Sequence, residues 1–169
     1  MPRPRKKRAA PARKPYRVNV AAVVLNPAGK ILTGWKHGTW QLPQGGVVAG
    51  ETFRAAVQRE LREEIGTDKF HVLAASRRLY SYDWPSAKTV SRRKRAYRGQ
   101  RQRYFLVRFT GTRKDLHPEL HGEFKALRWL TVRQVLAHAW SIKLVVYEQA
   151  LREFGLLPAR RSASHGSSA

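Results

Sequence analysis

The run from Thr52 to Ile65 contains no Gly or Pro and is rich in Ala, Gln, Glu, Arg and Leu, which commits it to an α-helix. Thr52 is suited to cap its start and Gly66 to close its end. On that helix Glu60, Glu63 and Glu64 are related by i,i+3 and i,i+4 spacing and share one face. Val57, Leu61 and Ile65 form an adjoining apolar stripe that can pack on a core. The fold must therefore cover that stripe and give three clustered carboxylates a partner.

The partner has to be a cation. The chain holds 34 Lys and Arg against 11 Asp and Glu, a formal charge of +23, yet Glu51, Glu60, Glu63 and Glu64 all fall in this one segment. Like charges one helical turn apart repel by a few tenths of a kcal/mol per pair (~0.2–0.5 kcal/mol) when solvated. A hard divalent cation removes that penalty, and oxygen-rich clusters of this kind suit Mg²⁺ or Mn²⁺ shared with the phosphates of a substrate. The preceding loop, Pro43-Gln44-Gly45-Gly46, offers flexible backbone that can approach a ligand closely. Taken alone, an E-x-x-E-E run is more often a solvated face paired with residues such as Arg59 and Arg62.

The full spacing is far more specific. Gly45, Glu51, then Arg59-Glu60-Leu61-x-Glu63-Glu64-x-Gly66 resembles the Nudix box of the Nudix hydrolases, a match expected by chance about once in 10⁸ windows. Thr67 stands where the box usually ends in an aliphatic residue. Trp40-Gln41-Leu42-Pro43-Gln44-Gly45-Gly46, Tyr16-Arg17-Val18-Asn19-Val20 and Gly99-Gln100-Arg101-Gln102-Arg103-Tyr104-Phe105 are similar to runs of the bacterial RNA pyrophosphohydrolases and plant-type diadenosine tetraphosphate hydrolases within that family. Glu123-Phe124 followed by Arg128-Trp129 resembles a further segment of theirs, with Leu127 in place of a Trp. Ile142-Lys143-Leu144-Val145-Val146-Tyr147 resembles an F-K-x-x-V-Y stretch, with Ile142 replacing the aromatic and Trp140 nearby. The likeness runs from about Tyr16 to Phe154.

That resemblance implies roles. Glu60, Glu63 and Glu64 would hold Mg²⁺ or Mn²⁺, with the Gly45 carbonyl completing the shell and Glu123 acting as a further ligand or base. Arg59 would orient the glutamates through ion pairs, with Glu51 supporting the loop. Arg17, Gln44, Gln102, Arg103 and Lys143 would contact substrate, the arginines through bidentate pairs with phosphate oxygens. The six His residues form no convincing metal constellation. His117 and His121 are four apart, but Pro118 and Gly122 argue against a helix there.

Composition sets the outer limits. A hydrophobic content of 42% with 10% aromatics supports one globular domain with a proper core. The absence of Cys excludes disulfides, zinc–thiolate sites and cysteine nucleophiles. No apolar run is long enough to span a bilayer and the basic N-terminus lacks an apolar signal region, so a cytoplasmic protein without membrane contact is expected. Residues 1–15 are Pro-rich, basic and free of acid, which predicts a disordered tail. A second basic cluster holds Lys88, Arg92, Arg93, Lys94, Arg95, Arg98, Arg101 and Arg103 around Tyr97. Positive fields of this kind attract polyphosphates and nucleic acid.

Strands are expected over Val18–Leu25, Lys30–Gly34, Phe70–Tyr82, Gln102–Phe109 and Ala126–Leu130. The catalytic helix follows the Trp40 loop, Pro85–Arg98 reads as a long basic loop, and helices close the domain over Thr131–Leu136 and Ile142–Phe154. Mixed strands with helices on either side predict an α/β/α sandwich with a mixed sheet, as the resemblance also implies. The domain spans 16–155 and a polar tail follows over 156–169. The expected activity is cation-dependent hydrolysis of a phosphoanhydride, on either a 5′-triphosphate RNA end or a dinucleoside polyphosphate. A non-catalytic RNA-binding module is the third reading, and the intact glutamate set argues against it.

Overall fold

The computed structural model describes residues 13–86, 90–118 and 122–158. Most of the expected N-terminal tail, the polar tail from 159, Lys88, His121 and His165 lie outside the described residues.

The apolar run Tyr16–Leu25 forms β1, beginning two residues before the expected start. It is buried on both faces, which is why it reads as near-continuous Ala and Val instead of alternating. Val20, Ala22 and Val24 face one core and Ala21 and Val23 the other. Beside it run β2 (Ile31–Lys36), β3 (Thr39–Gln41) and β4 (Gln44–Gly46). The helix α1 (Phe53–Ile65) follows, then β5 (Phe70–Asp83), β6 (Gly99–Phe109) and β7 (Leu127–Leu130). The helices α2 (Val132–His138) and α3 (Ser141–Glu153) complete the chain. The sheet order is β3-β2-β1-β6-β5, with β4 also on β1 and β7 on β2. β1 and β6 are parallel while β5 and β6 are antiparallel, so the sheet is mixed.

Helices cover both faces. The stripe Val57, Leu61 and Ile65 of α1 packs on Val20, Ala22, Phe105 and Val107, each aliphatic chain contributing roughly 1.5–3 kcal/mol by burial. On the other face Val146, Tyr147 and Leu151 of α3 and Val135 of α2 pack on Ala21, Val23 and Tyr104. The result is the expected α/β/α sandwich. Two expectations need correction. Pro43–Gly46 is not a flexible loop: Gln44–Gly46 pairs with Asn19–Ala21 of β1, and the Ala22 amide donates to the Pro43 carbonyl at 2.8 Å. The long basic loop turns into a 3₁₀ helix over Arg92–Ala96 among its described residues.

Candidate active site

The Thr52 side chain accepts from the Ala55 amide, and Gly66 closes α1 in the left-handed region at φ 72°. Between these caps the acids are graded by burial. Glu64 is fully buried, the Glu60 side chain is 12% exposed and that of Glu63 43% exposed. Arg59 is the hub that holds Glu60 and Glu63 together with Glu51. Its guanidinium donates to both Glu51 oxygens at 2.9 and 3.0 Å, to Glu60 at 2.7 Å, to Glu63 at 3.1 Å and to the Gly46 carbonyl at 2.8 Å. Those carboxylates push the arginine further up, through the Glu51 hydrogen bonds first, and Arg59 in turn holds Glu51 below the usual range. Glu51 also accepts from the Val48 amide at 3.1 Å, fastening the loop before the helix.

Two glycines of β4 form the opposite wall. A Cβ on Gly45 would lie 1.8 Å from the Glu60 carboxylate, and one on Gly46 would lie 2.2 Å from the Arg17 guanidinium. Only glycine lets those two charged groups lie against the strand. The Gln44 amide donates to Glu64 at 2.6 Å, tying the strand to the helix. Lys36, at the end of β2, pairs with Glu123 and lies 4.0 Å from Glu64. Burial pushes Glu123 up, but the Lys36 hydrogen bond and charge outweigh it and leave the group lowered.

These groups line one cavity of about 710 Å³, within the range of small-molecule sites. Its floor is polar. Lys143 of α3 is buried and donates to Gln41 at 2.8 Å and Gln44 at 3.0 Å; burial pulls its ammonium down to about 7. Asn19 Oδ1 is buried in the same cavity with no hydrogen-bond partner among the described residues. Trp84, Trp140 and the half-buried Lys94 also line the cavity.

Arg17, Gln44, Gly45, Glu60, Glu63, Glu64, Glu123 and Lys143 thus meet at one cavity. Arg59 stands behind them, holding Glu60 and Glu63. Two expected substrate contacts lie elsewhere. Gln102 is fully buried and its amide is spent on Gln44 and Gln100, at 3.0 and 3.3 Å. Arg103 is on the other face of β6. The register of β5 slips between Ala75 and Leu79, and Arg103 donates to the carbonyls of Ser76 and Arg77 in that slip while lying 5.3 Å from the Phe53 ring. Trp140 faces the cavity, whereas Ile142 packs in the core. Sequence reasoning missed Lys36 and Asn19, and named Lys94 only as one of a basic cluster. Only Asn19 carried a signal, as a lone amide inside an apolar strand.

A divalent cation fits this chemistry. Burial pushes Glu60 up and Glu64 well up, a penalty that a dication would reverse, and the donors are hard oxygens. The space over Gly45, which a Cβ would fill, keeps the Glu60 carboxylate against the backbone. Among the described residues no three acid or imidazole groups converge on one point; Glu60 and Glu63 are drawn to Arg59, and Glu123 to Lys36.

The NUDIX domain model matches residues 15–149. The chain belongs to the Nudix family. Among curated Nudix relatives, the RNA pyrophosphohydrolase of Rickettsia bellii is 41% identical over 145 residues, covering 83% of this chain and 90% of that protein. That of Rickettsia prowazekii is 39% identical over 145 residues, with 83% and 90% covered. The Escherichia coli dihydroneopterin triphosphate pyrophosphohydrolase superposes with a TM-score of 0.61 at 21% identity, over 80% of this chain and 97% of that one, which shows the shared Nudix fold. Its members generally require divalent metal ions, in keeping with the glutamate set.

Proposed function

We propose that this chain removes pyrophosphate from 5′-triphosphate RNA ends, leaving a monophosphate, with Mg²⁺ as the working cation and Mn²⁺ able to replace it. A cytoplasmic setting accompanies that reading. The observation that carries it is the two-signed cavity: Glu60, Glu63, Glu64 and Glu123 on one side, Arg17, Lys36, Lys94 and Lys143 around the rest. A polyphosphate needs cationic groups along its length and an acid-held metal at the bond that breaks. The relatives named RNA pyrophosphohydrolase, matched over most of both chains, support RNA as the carrier of that polyphosphate.

Glu60, Glu63 and Glu64, with the Gly45 carbonyl, would hold the cation, which when bound supplies charge neutralisation and an activated water. The protein's own groups do the rest. Arg59 keeps Glu60 and Glu63 in register through its hydrogen bonds, and the Gln44 amide holds Glu64. Arg17, seated over Gly46, and Lys143 in the floor bind phosphate oxygens. Gln44 is held by Lys143 and Gln102 and fixes the β4 wall. Glu123 accepts the proton of the attacking water once substrate phosphates draw Lys36 away. Water oxygen bonds to phosphorus, the anhydride P–O bond breaks, and pyrophosphate leaves. Trp84 and Trp140 offer ring faces for the first bases.

The test is a side-by-side turnover assay with Mg²⁺ on 5′-triphosphate RNA, diadenosine tetraphosphate and a free nucleoside triphosphate. RNA is expected to be the best substrate, with Glu63→Gln losing turnover while still binding it. Preference for the dinucleotide would make the chain a metabolite hydrolase, and RNA binding without any hydrolysis would make it a binding module.

A further inference from the structure

The basic segment after β5 is built into the cavity wall. Ser91 and Lys94 line the cavity, and Lys94 is half-buried there. Arg92, Arg93 and Arg95, on the same 3₁₀ turn, are exposed. The strap is pinned at both ends. The Arg98 amide donates to the Pro15 carbonyl at 2.9 Å, the Trp84 amide to the Arg98 carbonyl at 3.0 Å, and Lys14 Nζ to the Arg95 carbonyl at 2.7 Å.

Beside the strap, two arginines are ordered in advance. The Tyr16 ring has the Arg98 guanidinium 4.8 Å and the Arg101 guanidinium 5.7 Å from its centroid, and its hydroxyl donates to Asp83 at 2.7 Å. Arg98 is also fixed to Asp83 at 2.5 Å, and Arg101 to Ser81 at 3.3 Å. Exposed arginines normally lose rotamer freedom on binding, and holding them first reduces that cost. The sequence has no Asp or Glu between Asp83 and Asp115, and none before Glu51. Beyond Asp83, whose carboxylate Arg98 and Tyr16 hold, the strap thus brings only basic charge to the cavity mouth.

We propose that this strap is a second binding site, for the phosphodiester backbone of single-stranded RNA downstream of the 5′ end held in the cavity. Arg92, Arg93, Arg95, Arg98 and Arg101 take successive phosphates, and Lys94 marks where the strand enters. A free dinucleotide is too short to use these contacts, so the strap favours long substrates over small ones. The site rests on the proposed RNA-end activity for its purpose, though not for its binding chemistry.

The test compares the full chain with the triple variant Arg92→Ser, Arg93→Ser, Arg95→Ser. Binding is measured on a 5′-hydroxyl single strand of about 12 nucleotides, a length typical of single-strand sites. Turnover is measured on 5′-triphosphate RNA of that length and on a 5′-triphosphate dinucleotide. Losing three phosphate contacts is expected to lower the slope of log affinity against log salt by about 2, at ~0.7 per contact. The longer substrate should lose about tenfold in kcat/KM near physiological salt while the dinucleotide stays within about twofold. The triple Arg→Lys variant, which keeps the charge, should recover most of the binding and guards against misfolding. An unchanged salt slope, or equal losses on long and short substrates, overturns the proposal. If no RNA is hydrolysed but the strap variant still loses 5′-hydroxyl RNA binding, the activity reading fails and the site stands.

Discussion

At the scale of single residues, the site depends on what is missing at Gly45. Its φ is ordinary, so alanine is allowed by the backbone there; the obstacle is the Glu60 carboxylate, 1.8 Å from where a Cβ would sit. Gly45→Ala must displace that carboxylate, and a misplacement on the order of 1 Å costs about a hundredfold in rate. The expected result is a loss of about that size in kcat/KM with little change in melting temperature, read by kinetics and thermal melts on the same sample. Lys143 is the opposite case, a charged group kept in the core. Its folded value near 7 lies below its ordinary 10.5. Between those values the unfolded chain binds a proton that the folded chain does not, so stability rises with pH across that window. Below about 7 both states hold the proton and the burial penalty is at its full size. Denaturant melts from pH 7 to pH 9 should show the wild type gaining at most about 1.4 kcal/mol per pH unit from this group, and Lys143→Met losing that dependence.

At the scale of elements, local signals and tertiary ones part company. α1 was legible because its caps, acids and apolar stripe are all encoded within the fifteen residues from Thr52 to Gly66. Thr52→Ala tests how self-contained it is. Removing the hydroxyl that accepts from Ala55 should cost about 1 kcal/mol, or roughly 3 °C in melting temperature. Turnover should hold within about twofold, since Glu51 and Arg59 still fasten the loop to the helix. β3 and β4 were not legible. Each is three residues long, with no alternation to read, and owes its pairing to β2 and β1. Gln102 and Arg103 show a finer failure. Their strand was evident, but which face turned toward the cavity depended on β1 lying parallel to β6 and on the β5 slip that captures Arg103. Lys36 had no local signal, because a lysine at a strand end looks like ordinary surface, and the basic run that holds Lys94 did not say which of its side chains meets the cavity. Arg59 also pairs with Glu51, eight residues before it, because the loop and helix start between them bring the two together.

At the scale of the whole molecule, charge acts on stability and on function in opposite directions. A chain of formal charge +23 repels itself when folded, and compaction costs more as screening weakens. The same imbalance attracts RNA through release of counterions from its phosphates. Added salt should therefore move the two properties apart. Going from about 0.05 M to about 0.5 M KCl shortens the screening length from ~14 Å to ~4 Å. The melting temperature is expected to rise by a few degrees, while kcat/KM on long 5′-triphosphate RNA falls by at least tenfold with kcat nearly unchanged. The clustered carboxylates sharpen the contrast. Glu60 and Glu64 are desolvated close to Arg59 and Lys36, so these buried pairs are screened far less than the exposed arginines. The fall should thus sit in KM, where the strand is captured, and leave the chemical step alone. Thermal melts and initial rates in matched KCl series decide it: parallel falls in stability and kcat would mean that salt breaks the buried ion pairs and that the surplus positive charge has no part in capturing RNA.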